Sequence, residues 1–556
     1  MKPRTIAGLL RARAEADGAD RVAIRFLEED TWVEWSWERL WRQARRAQAG
    51  LVTAGVRSGD HVLVLVPEVR PSVAALFGMW ALGAVPIQMA RPPRLASAPA
   101  YFEQLSATAA RLHARFLLVA DDLAEAALAA GLRVLTPGNL DENADAAALG
   151  DPDAVGGTAF LQLTSGSISA PRAVIVPHDR LMLHMASMSR ALPSHADSSA
   201  VSWLPLHHDM GLLGGLLFPF YNGFTAHMMA TDDFRRRPSI WLETIARFRG
   251  TITAAPPSAY ALSVPLAPRL LAQGLDLSTW ECAMIGAEPI SAALLRRFSD
   301  AFAPAGFRSQ AFFPVYGLAE ATVAVTFPDL LAGLRIDRVD RMALERDGVA
   351  VPSTSDEGIE FVGVGRAIPE CEIRIVDEDG LGAPERMTGE IEVRSKSASL
   401  GYYADPENTA ATWRGEWLRT GDVGYIAGRT LFVTARKKEL IIKGGHNLIP
   451  SVLEEIVSDV EGVRAGAVAA VGLKHEGLET ELVCVVAETA HEAVDYAVIS
   501  ERIRAALKVR GVTADRIVLV PPRTLPRTTS GKLQRVGVSA MLTAEPARIA
   551  QPAARI

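Results

Sequence analysis

Three polar residues near the middle of the chain have the types and spacing to bind a ligand. Tyr316, Glu320 and Thr322 lie within seven residues, and they could supply a stacking face, a metal ligand and a phosphate contact. The apolar run 311–315 before them predicts a short buried strand, Gly317 predicts a tight turn, and a helix-compatible stretch follows. Polar groups just after a strand of an α/β sheet lie where such proteins bind ligands. An ordinary strand–turn–helix connection would show the same pattern, so the segment alone does not establish a ligand-binding site.

A second candidate is the hydroxyl-rich loop from Thr164 to Ala173, which lies between two apolar, strand-like runs. Its backbone N–H groups and its serine and threonine hydroxyls could bind a polyanion. The loop has one glycine and therefore lacks the framework of the G-x-x-x-x-G-K-[ST] phosphate loop. A plain serine-rich turn stays open as the alternative.

Charged residues elsewhere could complete such a site. Residues 286–289, Gly-Ala-Glu-Pro, follow another predicted strand and would lie beside the Tyr316 turn if the two strands are neighbours. Asp422, in a glycine-flanked turn, could accept hydrogen bonds from two sugar hydroxyls or could satisfy its own turn. Lys532 follows a polar stretch from which it could swing into a distant cleft and meet developing negative charge. A solvated tail is the alternative reading of that stretch.

A histidine and an aspartate are neighbours at positions 208 and 209. Adjacent residues of a helix or a strand point to different faces, so we do not expect His208 and Asp209 to form a pair. A lone histidine is more often structural than catalytic, and this alternative also stays open.

The elements that must position these residues alternate between helix and strand signals. Residues 1–155 show a βαβ rhythm, which predicts a mostly parallel sheet, and Ser36 is expected to cap one of the helices. The sequence pattern changes within residues 330–360, and this segment looks like an insertion. Short strand runs within 361–435 predict a small β subdomain, and the charged residues 435–439 mark a domain boundary.

We therefore expect an α/β fold with two domains. A large N-terminal domain, 1–435, would contain βαβ-type sheets, the insertion and the β subdomain. A small, mobile α+β C-terminal domain would cover 439–545, followed by a tail at 546–556.

Composition excludes several other classes of protein. The 556 residues carry a net charge of −6 with both signs spread along the chain, which argues against a nucleic-acid binder. Cys282, Cys371 and Cys484 lie far apart, so no disulfide framework or zinc spacing follows and a reducing cytoplasm fits best. The longest apolar run, Met210 to Tyr221, is too short to span a bilayer, so we expect no transmembrane segment.

The order of these motifs resembles the adenylate-forming enzyme superfamily of acyl-CoA synthetases, peptide-synthetase adenylation domains and luciferases. The resemblance covers nearly the whole chain. It rests on the hydroxyl-rich loop, Gly-Ala-Glu-Pro at 286–289, Tyr-Gly-Leu-Ala-Glu-Ala-Thr at 316–322, Thr-Gly-Asp at 420–422, Arg-Lys-Lys-Glu at 436–439 and Ser-Gly-Lys at 530–532. Residues 202–212, 280–289 and the 330–360 insertion look like the fatty acyl-AMP ligase branch.

The resemblance implies a role for each matching residue. The residues expected along the ATP β- and γ-phosphates are Thr164, Ser165, Gly166, Ser167 and Arg172. Those expected around the adenosine are Gly286, Ala287, Glu288, Tyr316, Gly317, Asp422 and Arg436, with Tyr316 stacked on the base and Asp422 on the ribose hydroxyls. Those expected at the reacting groups are Glu320 as Mg²⁺ ligand, Thr322 at the α-phosphate, His208 between the acyl pocket and the α-phosphate, and Lys532 bridging carboxylate and α-phosphate.

The resemblance also implies a moving domain and a second step. Lys438, within residues 436–438, matches the hinge about which the C-terminal domain rotates, and Gly444 and Gly445 would flank the pantetheine path. The expected enzyme is an acid-thiol ligase that uses ATP and Mg²⁺ to convert a long or bulky apolar carboxylic acid into acyl-AMP. The acceptor thiol would belong to CoA or to the phosphopantetheine of an acyl carrier protein. By analogy, the insertion favours a carrier or arrest at acyl-AMP.

The phosphate loop departs from the superfamily pattern. Ile168, Ser169, Arg172 and Ala173 replace a threonine, a glycine, a lysine and a glycine, so a hydroxyl and a close backbone approach are lost. One alternative is therefore an adenylation-impaired enzyme that only forms thioesters from acyl-AMP made by a partner enzyme. A second alternative is an inactive relative that binds AMP or acyl-AMP, against which the intact Lys532 argues.

Overall fold

The structure, a computed structural model, describes residues 4–91, 98–140, 156–164, 171–195, 197–355, 357–475, 480–489, 495–527 and 532–544. Of the candidate site residues, Ser165, Gly166 and Ser167 lie outside the described residues, as do Ile168 and Ser169.

The first part of the chain builds a small parallel sheet and one antiparallel pair of strands. Its strands are β1 (Val22–Glu28), β2 (Thr31–Ser36), β3 (His61–Leu65), β4 (Val85–Gln88), β5 (Ala114–Val119) and β6 (Val134–Leu135). Its helices are α1 (Ile6–Ala14), α2 (Trp37–Thr53), α3 (Val69–Leu82), α4 (Ala98–Arg111) and α5 (Ala124–Ala129). Strands β4, β3, β5 and β6 lie in that order and are all parallel, as the βαβ rhythm predicts. The Ser36 hydroxyl accepts a hydrogen bond from the Arg39 N–H at 3.1 Å and caps α2, which confirms that prediction.

The next part supplies most of a seven-stranded sheet. Its strands are β7 (Thr158–Leu163), β8 (Ala173–Pro177), β9 (Ser199–Ser202), β10 (Thr225–Met228), β11 (Ile252–Ala255), β12 (Cys282–Ile285), β13 (Phe312–Pro314), β14 (Tyr316–Gly317) and β15 (Ala324–Phe327). Its helices are α6 (His178–Ala191), a π-helix (Met210–Leu217), α7 (Phe218–Asn222), α8 (Thr231–Arg236), α9 (Ser239–Phe248), α10 (Pro257–Ser263), α11 (Ala267–Ala272) and α12 (Ala292–Phe302).

The seven-stranded sheet brings two of the predicted motifs together. Its order is β13-β12-β11-β9-β10-β1-β2, and only β2 runs antiparallel to its neighbour. Ile285 at the end of β12 pairs with Pro314 at the end of β13. Residues 286–289 and Tyr316 therefore leave the same edge of the sheet side by side, as expected.

The stretch after Gly317 is not the predicted helix. A single 3₁₀ turn at Ala319–Ala321 is followed by β15, which pairs antiparallel with β14. Thr322 has a φ of 76°, outside the helical region, and the chain there turns back toward β14. The local pattern suited a helix, but pairing with β14 decided the conformation.

A second, mostly antiparallel layer follows. Its strands are β16 (Ile336–Val339), β17 (Ile359–Val362), β18 (Arg366–Ala367), β19 (Cys371–Val376), β20 (Gly389–Ser395), β21 (Trp413–Arg414), β22 (Trp417–Ala427) and β23 (Thr430–Arg436), and its helices are α13 (Arg341–Asp347) and α14 (Pro406–Thr412). Asp422 lies within β22 and pairs with Arg436 of β23, so the prediction that it occupies a turn is wrong. Gly421 before it has a φ of 71°, and the strand continues through this irregular stretch.

The last part of the chain forms its own three-stranded sheet. It contains β24 (Ile441–Lys443), β25 (His446–Leu448), α15 (Pro450–Ser458), β26 (Val463–Lys474), β27 (Glu481–Thr489), α16 (Tyr496–Val509), β28 (Arg516–Val520) and α17 (Arg535–Ala544). Strands β26, β27 and β28 pair in that order, and two hydrophobic clusters lie wholly within residues 441–542. Among the helices of the described ranges, none is long and apolar enough to cross a membrane.

Candidate active site

A buried carboxylate, Asp422, is the centre of a hydrogen-bonded cluster. Asp422 is 8% exposed, and its Oδ2 accepts a hydrogen bond from the Tyr316 hydroxyl at 2.8 Å. Its Oδ1 accepts a hydrogen bond from the Arg436 Nε at 3.2 Å. Asp422 raises the pKa of Arg436, and burial together with this carboxylate raises the pKa of Tyr316 well above its usual value. Each carboxylate oxygen keeps a second lone pair, which is what two ribose hydroxyls would need.

The Gly-Ala-Glu segment lies along the same edge. A Cβ at Gly286 would lie 3.1 Å from the carbonyl oxygen of Val315, so the close approach of the two strand ends favours glycine there. Ala287 is exposed and has a φ of 68°, which is uncommon for a residue with a side chain. The Glu288 carboxylate accepts hydrogen bonds from the N–H and hydroxyl of Ser258 at 3.1 and 3.2 Å. The Gly-Ala-Glu segment therefore lies directly beside Val315, the residue before Tyr316.

Glu320 is held by a residue that the sequence analysis did not single out. The Tyr402 hydroxyl donates a hydrogen bond to Glu320 Oε1 at 2.7 Å, and the Ser399 N–H donates to the Glu320 carbonyl at 3.0 Å. Glu320 Oε2 accepts no hydrogen bond from the described residues. The described residues also contain no cluster of three or more metal-ligating side chains. Mg²⁺ is commonly bound by one or two carboxylates together with substrate phosphates, so the role of Glu320 as its ligand stays a prediction.

Thr322 is placed differently from its expected role. It is 1% exposed, and its hydroxyl donates a hydrogen bond to the Ser397 carbonyl at 2.5 Å. His184 supports the same turn, because its ring nitrogens lie 2.9 Å from the Ser397 hydroxyl and 3.1 Å from the Ala324 nitrogen. The hydroxyl of Thr322 thus stabilises the turn that carries Glu320. Its contact with an α-phosphate stays a prediction that this burial does not support.

The described ends of the phosphate loop are fixed by contacts outside it. The Thr164 N–H donates a hydrogen bond to the Arg172 carbonyl at 2.9 Å. The Arg172 guanidinium donates to Asn408 Oδ1 at 2.8 Å and lies 5.2 Å from the centre of the Tyr402 ring. The Arg172 side chain therefore contacts both α14 and Tyr402.

His208 and Asp209 do form a pair, so the expectation from their adjacency is wrong. His208 Nδ1 lies 2.8 Å from Asp209 Oδ1. The two residues lie in a bend that enters the π-helix, where the alternation of a strand does not apply. Burial disfavours the protonated ring, but the charge and hydrogen bond of Asp209, together with the charge of Glu288, raise the pKa of His208.

Lys532 lies among the charges of the cleft. Burial and the positive charge of Arg436 lower its pKa, while Glu439, Asp422 and Glu288 act in the opposite direction. The same lysine also acts on the pKa of His208. Lys532 is half-buried among these charges, and its role at the reacting groups stays a prediction.

The hinge candidate and the pantetheine candidates lie in exposed turns. Lys438 is exposed in a single 3₁₀ turn after β23. Gly444 and Gly445 form the exposed turn between β24 and β25, and the Gly444 N–H donates a hydrogen bond to the Thr480 hydroxyl at 2.8 Å. Among the described residues, no hydrogen bond links either glycine to the nucleotide candidates.

The fold is that of an adenylate-forming ligase: a seven-stranded, mostly parallel sheet lies beside an antiparallel layer whose Asp422 is hydrogen-bonded to Tyr316. The family model "AMP-binding enzyme" matches residues 10–403. The chain therefore belongs to the AMP-binding enzyme family, and it is an AMP-forming ligase.

Individual relatives agree with the resemblance to the fatty acyl-AMP ligase branch. A long-chain-fatty-acid–AMP ligase, FadD32 of Mycolicibacterium smegmatis, is 31% identical over 587 residues, covering 93% of this chain and 91% of that protein. A 4-hydroxyphenylalkanoate adenylyltransferase of Mycobacterium marinum is 30% identical, covering 94% and 89%. A solved structure from a study of fatty acyl-adenylate ligases of E. coli and L. pneumophila matches with a TM-score of 0.87 at 30% identity, covering 97% of each chain. The predicted family and fold class are confirmed.

Proposed function

We infer that the enzyme activates a long or bulky apolar carboxylic acid as its acyl-AMP and then transfers the acyl group to a thiol. The observation that carries the proposal is the meeting of Asp422, Tyr316 and Lys532 in one cleft, since these groups suit a nucleoside and a developing negative charge. Two relatives, named as a long-chain-fatty-acid–AMP ligase and a 4-hydroxyphenylalkanoate adenylyltransferase, support an apolar acid.

The first step is a displacement at phosphorus. A carboxylate oxygen of the acid attacks the α-phosphorus of ATP, an O–P bond forms, and the bond to pyrophosphate breaks with its electron pair on the leaving group. Asp422 and Tyr316 hold the nucleoside, and Lys532 offers a cation to the phosphoryl oxygens as their charge grows. Glu320 would hold Mg²⁺, which when bound would supply positive charge beside the phosphates. No side-chain nucleophile is required.

The second step exchanges AMP for a thiol. The thiol of CoA or of carrier-protein phosphopantetheine gives up its proton to solvent, its sulfur forms a bond to the acyl carbon, and AMP leaves with the electrons of the C–O bond. One cleft serves both steps if the C-terminal domain rotates about Lys438 and brings Gly444 and Gly445 to the thiol. A carrier protein is the macromolecular partner that this step would need.

A specific observation favours a second candidate, an enzyme with impaired adenylation. Arg172 replaces the expected lysine, and its guanidinium is engaged by Asn408 and Tyr402. Such a protein would receive acyl-AMP from a partner enzyme and catalyse only the second step. The third possibility, an inactive relative, is disfavoured by the charged surroundings of Lys532.

Pyrophosphate–ATP exchange over a panel of fatty and polycyclic acids tests the proposal. Exchange with any acid, abolished by Lys532→Ala, would support adenylation and name the substrate class. Without exchange in folded protein, thioester formation from supplied acyl-AMP with CoA or a phosphopantetheinylated carrier would support the second candidate. Inertness in both assays would refute both and leave a binding protein.

A further inference from the structure

Tyr402 is the side chain that holds the Glu320 carboxylate. Among the described residues, its hydroxyl is the one side-chain donor to Glu320, at 2.7 Å from Oε1. Tyr402 comes from the loop after β20, far from Glu320 in sequence. This contact therefore ties the β subdomain to the turn that carries the expected metal ligand.

Tyr402 is itself immobilised on several sides. It is 5% exposed, its N–H donates a hydrogen bond to the Thr409 hydroxyl at 2.9 Å, and its ring packs edge-on against Trp413 at 5.5 Å. Val174 of β8 pairs with it through an isolated β-bridge. A buried ring with these neighbours has little rotamer freedom, so its hydroxyl is held at one position.

The same tyrosine also meets the end of the phosphate loop. The Arg172 guanidinium lies 5.2 Å from the centre of the Tyr402 ring and donates a 2.8 Å hydrogen bond to Asn408 Oδ1. Asn408 is in turn held by both carboxylate oxygens of Asp405, at 3.0 and 2.9 Å. The face of the Tyr402 ring thus contacts Arg172, near the end of the phosphate loop, and the Tyr402 hydroxyl contacts the Glu320 carboxylate.

We propose that Tyr402 is a positioning residue for adenylation, which orients Glu320 for Mg²⁺ and fixes the end of the phosphate loop through Arg172. This inference rests on the proposed function, because it requires Glu320 to bind the Mg²⁺ that accompanies ATP. Mg²⁺ demands near-octahedral geometry, so a carboxylate that is already oriented binds it with a smaller loss of entropy. Removing a residue that orients a metal ligand typically weakens metal binding by about 10- to 100-fold.

The phenylalanine variant tests the hydroxyl alone. Tyr402→Phe keeps the ring against Arg172 and removes the hydrogen bond to Glu320. We expect the Mg²⁺ concentration for half-maximal pyrophosphate–ATP exchange to rise about 10- to 100-fold. The maximal rate at saturating Mg²⁺ should change much less. The matched control is Tyr403→Phe, since the neighbouring Tyr403 hydroxyl also makes one hydrogen bond, to His113 at 3.0 Å.

A binding measurement separates this proposal from the proposed function. Mn²⁺ titration followed by electron paramagnetic resonance, with an ATP analogue that cannot be cleaved between the α- and β-phosphates, reports metal affinity without turnover. Weaker Mn²⁺ binding in Tyr402→Phe than in Tyr403→Phe supports the positioning role, even if the wild type catalyses no exchange. Equal Mn²⁺ binding in wild type, Tyr402→Phe and Tyr403→Phe overturns it, even if exchange is robust.

A double-mutant cycle distinguishes an effect of Tyr402 through Glu320 from a general effect on folding. In a Glu320→Gln background, Tyr402→Phe should cause no further loss of Mn²⁺ affinity, because the carboxylate that it orients is gone. An additive loss would show that Tyr402 acts elsewhere and would overturn the proposal. Thermal unfolding of each variant checks that the comparison is made between folded proteins.

Discussion

Replacing Asp422 by asparagine changes one charge at the centre of the cleft and leaves the shape of the side chain. The carboxylate accepts from the Tyr316 hydroxyl at 2.8 Å and from the Arg436 Nε at 3.2 Å. The amide oxygen of Asp422→Asn can still accept from Arg436, but the amide nitrogen then replaces the acceptor that faces Tyr316. The site loses its charge and one of its two acceptors.

The size of the effect follows from the hydrogen bonds to ribose. A hydrogen bond to a charged group contributes about 1.5–3 kcal/mol, and the variant loses at least one of this kind. At about 1.4 kcal/mol for each factor of ten, AMP should bind about 10- to 150-fold more weakly. Because only 8% of Asp422 is exposed, little solvent is present to replace the lost acceptor.

A second tyrosine–aspartate–arginine cluster in the same chain provides the control. Asp337 accepts from the Tyr425 hydroxyl at 2.8 Å and from Arg386 at 3.1 and 3.2 Å, but it lies in β16, in the 330–360 segment. Asp337→Asn should therefore affect stability in a similar way without affecting the nucleotide. Isothermal titration with AMP would measure both variants directly. If Asp422→Asn bound AMP within twofold of Asp337→Asn, the assignment of Asp422 to the ribose would be refuted.

Three further predictions concern pH and the contact between the two parts of the chain. Because burial and Arg436 lower the pKa of Lys532, pyrophosphate–ATP exchange should fall on an alkaline limb below pH 10.5, and Lys532→Arg should remove that limb, since arginine stays charged. Burial lowers the pKa of His184 to about 3, so the unfolded chain binds its proton more tightly. The free energy of unfolding should therefore fall by about 1.4 kcal/mol per pH unit for this group as pH drops from about 6.5 to about 3, and urea titrations of His184→Gln should show a flatter pH dependence in this range. Glu455 of α15 accepts a hydrogen bond from Ser291, which caps α12, at 2.5 Å. Glu455→Ala should loosen this contact and speed tryptic cleavage at the exposed Lys438, and unchanged cleavage would show that the contact does not restrain the C-terminal part.

Local patterns in the sequence predicted many of the elements correctly. The apolar run before Tyr316 forms β13, and Ser36 caps α2 because its hydroxyl satisfies an N–H of the first turn. The order of the motifs predicted the family. Each motif is a short run of consecutive residues, so it can be recognised without knowing which other residues it contacts. The boundaries of the two domains and the roles of the individual site residues stay predictions.

The contacts between distant residues were decided by the tertiary structure. Pairing of β14 with β15 replaced the helix expected around Glu320, and a bend brought His208 onto Asp209. Tyr402 was not predicted at all, because its role depends on Glu320, which lies 82 positions away in sequence.

The sequence by itself determined which chemical groups are available and which short segments become strands or capped helices, because these depend on neighbours a few residues apart. Only the tertiary structure decided which groups meet. Asp422 shows the difference: its sequence predicted a turn, but the long pairing of β22 with β20 and β23 made it part of a strand, with its carboxylate buried against Tyr316 and Arg436. Such pairings join residues far apart in the chain, and they are stabilised by burial and hydrogen bonds that no local pattern contains.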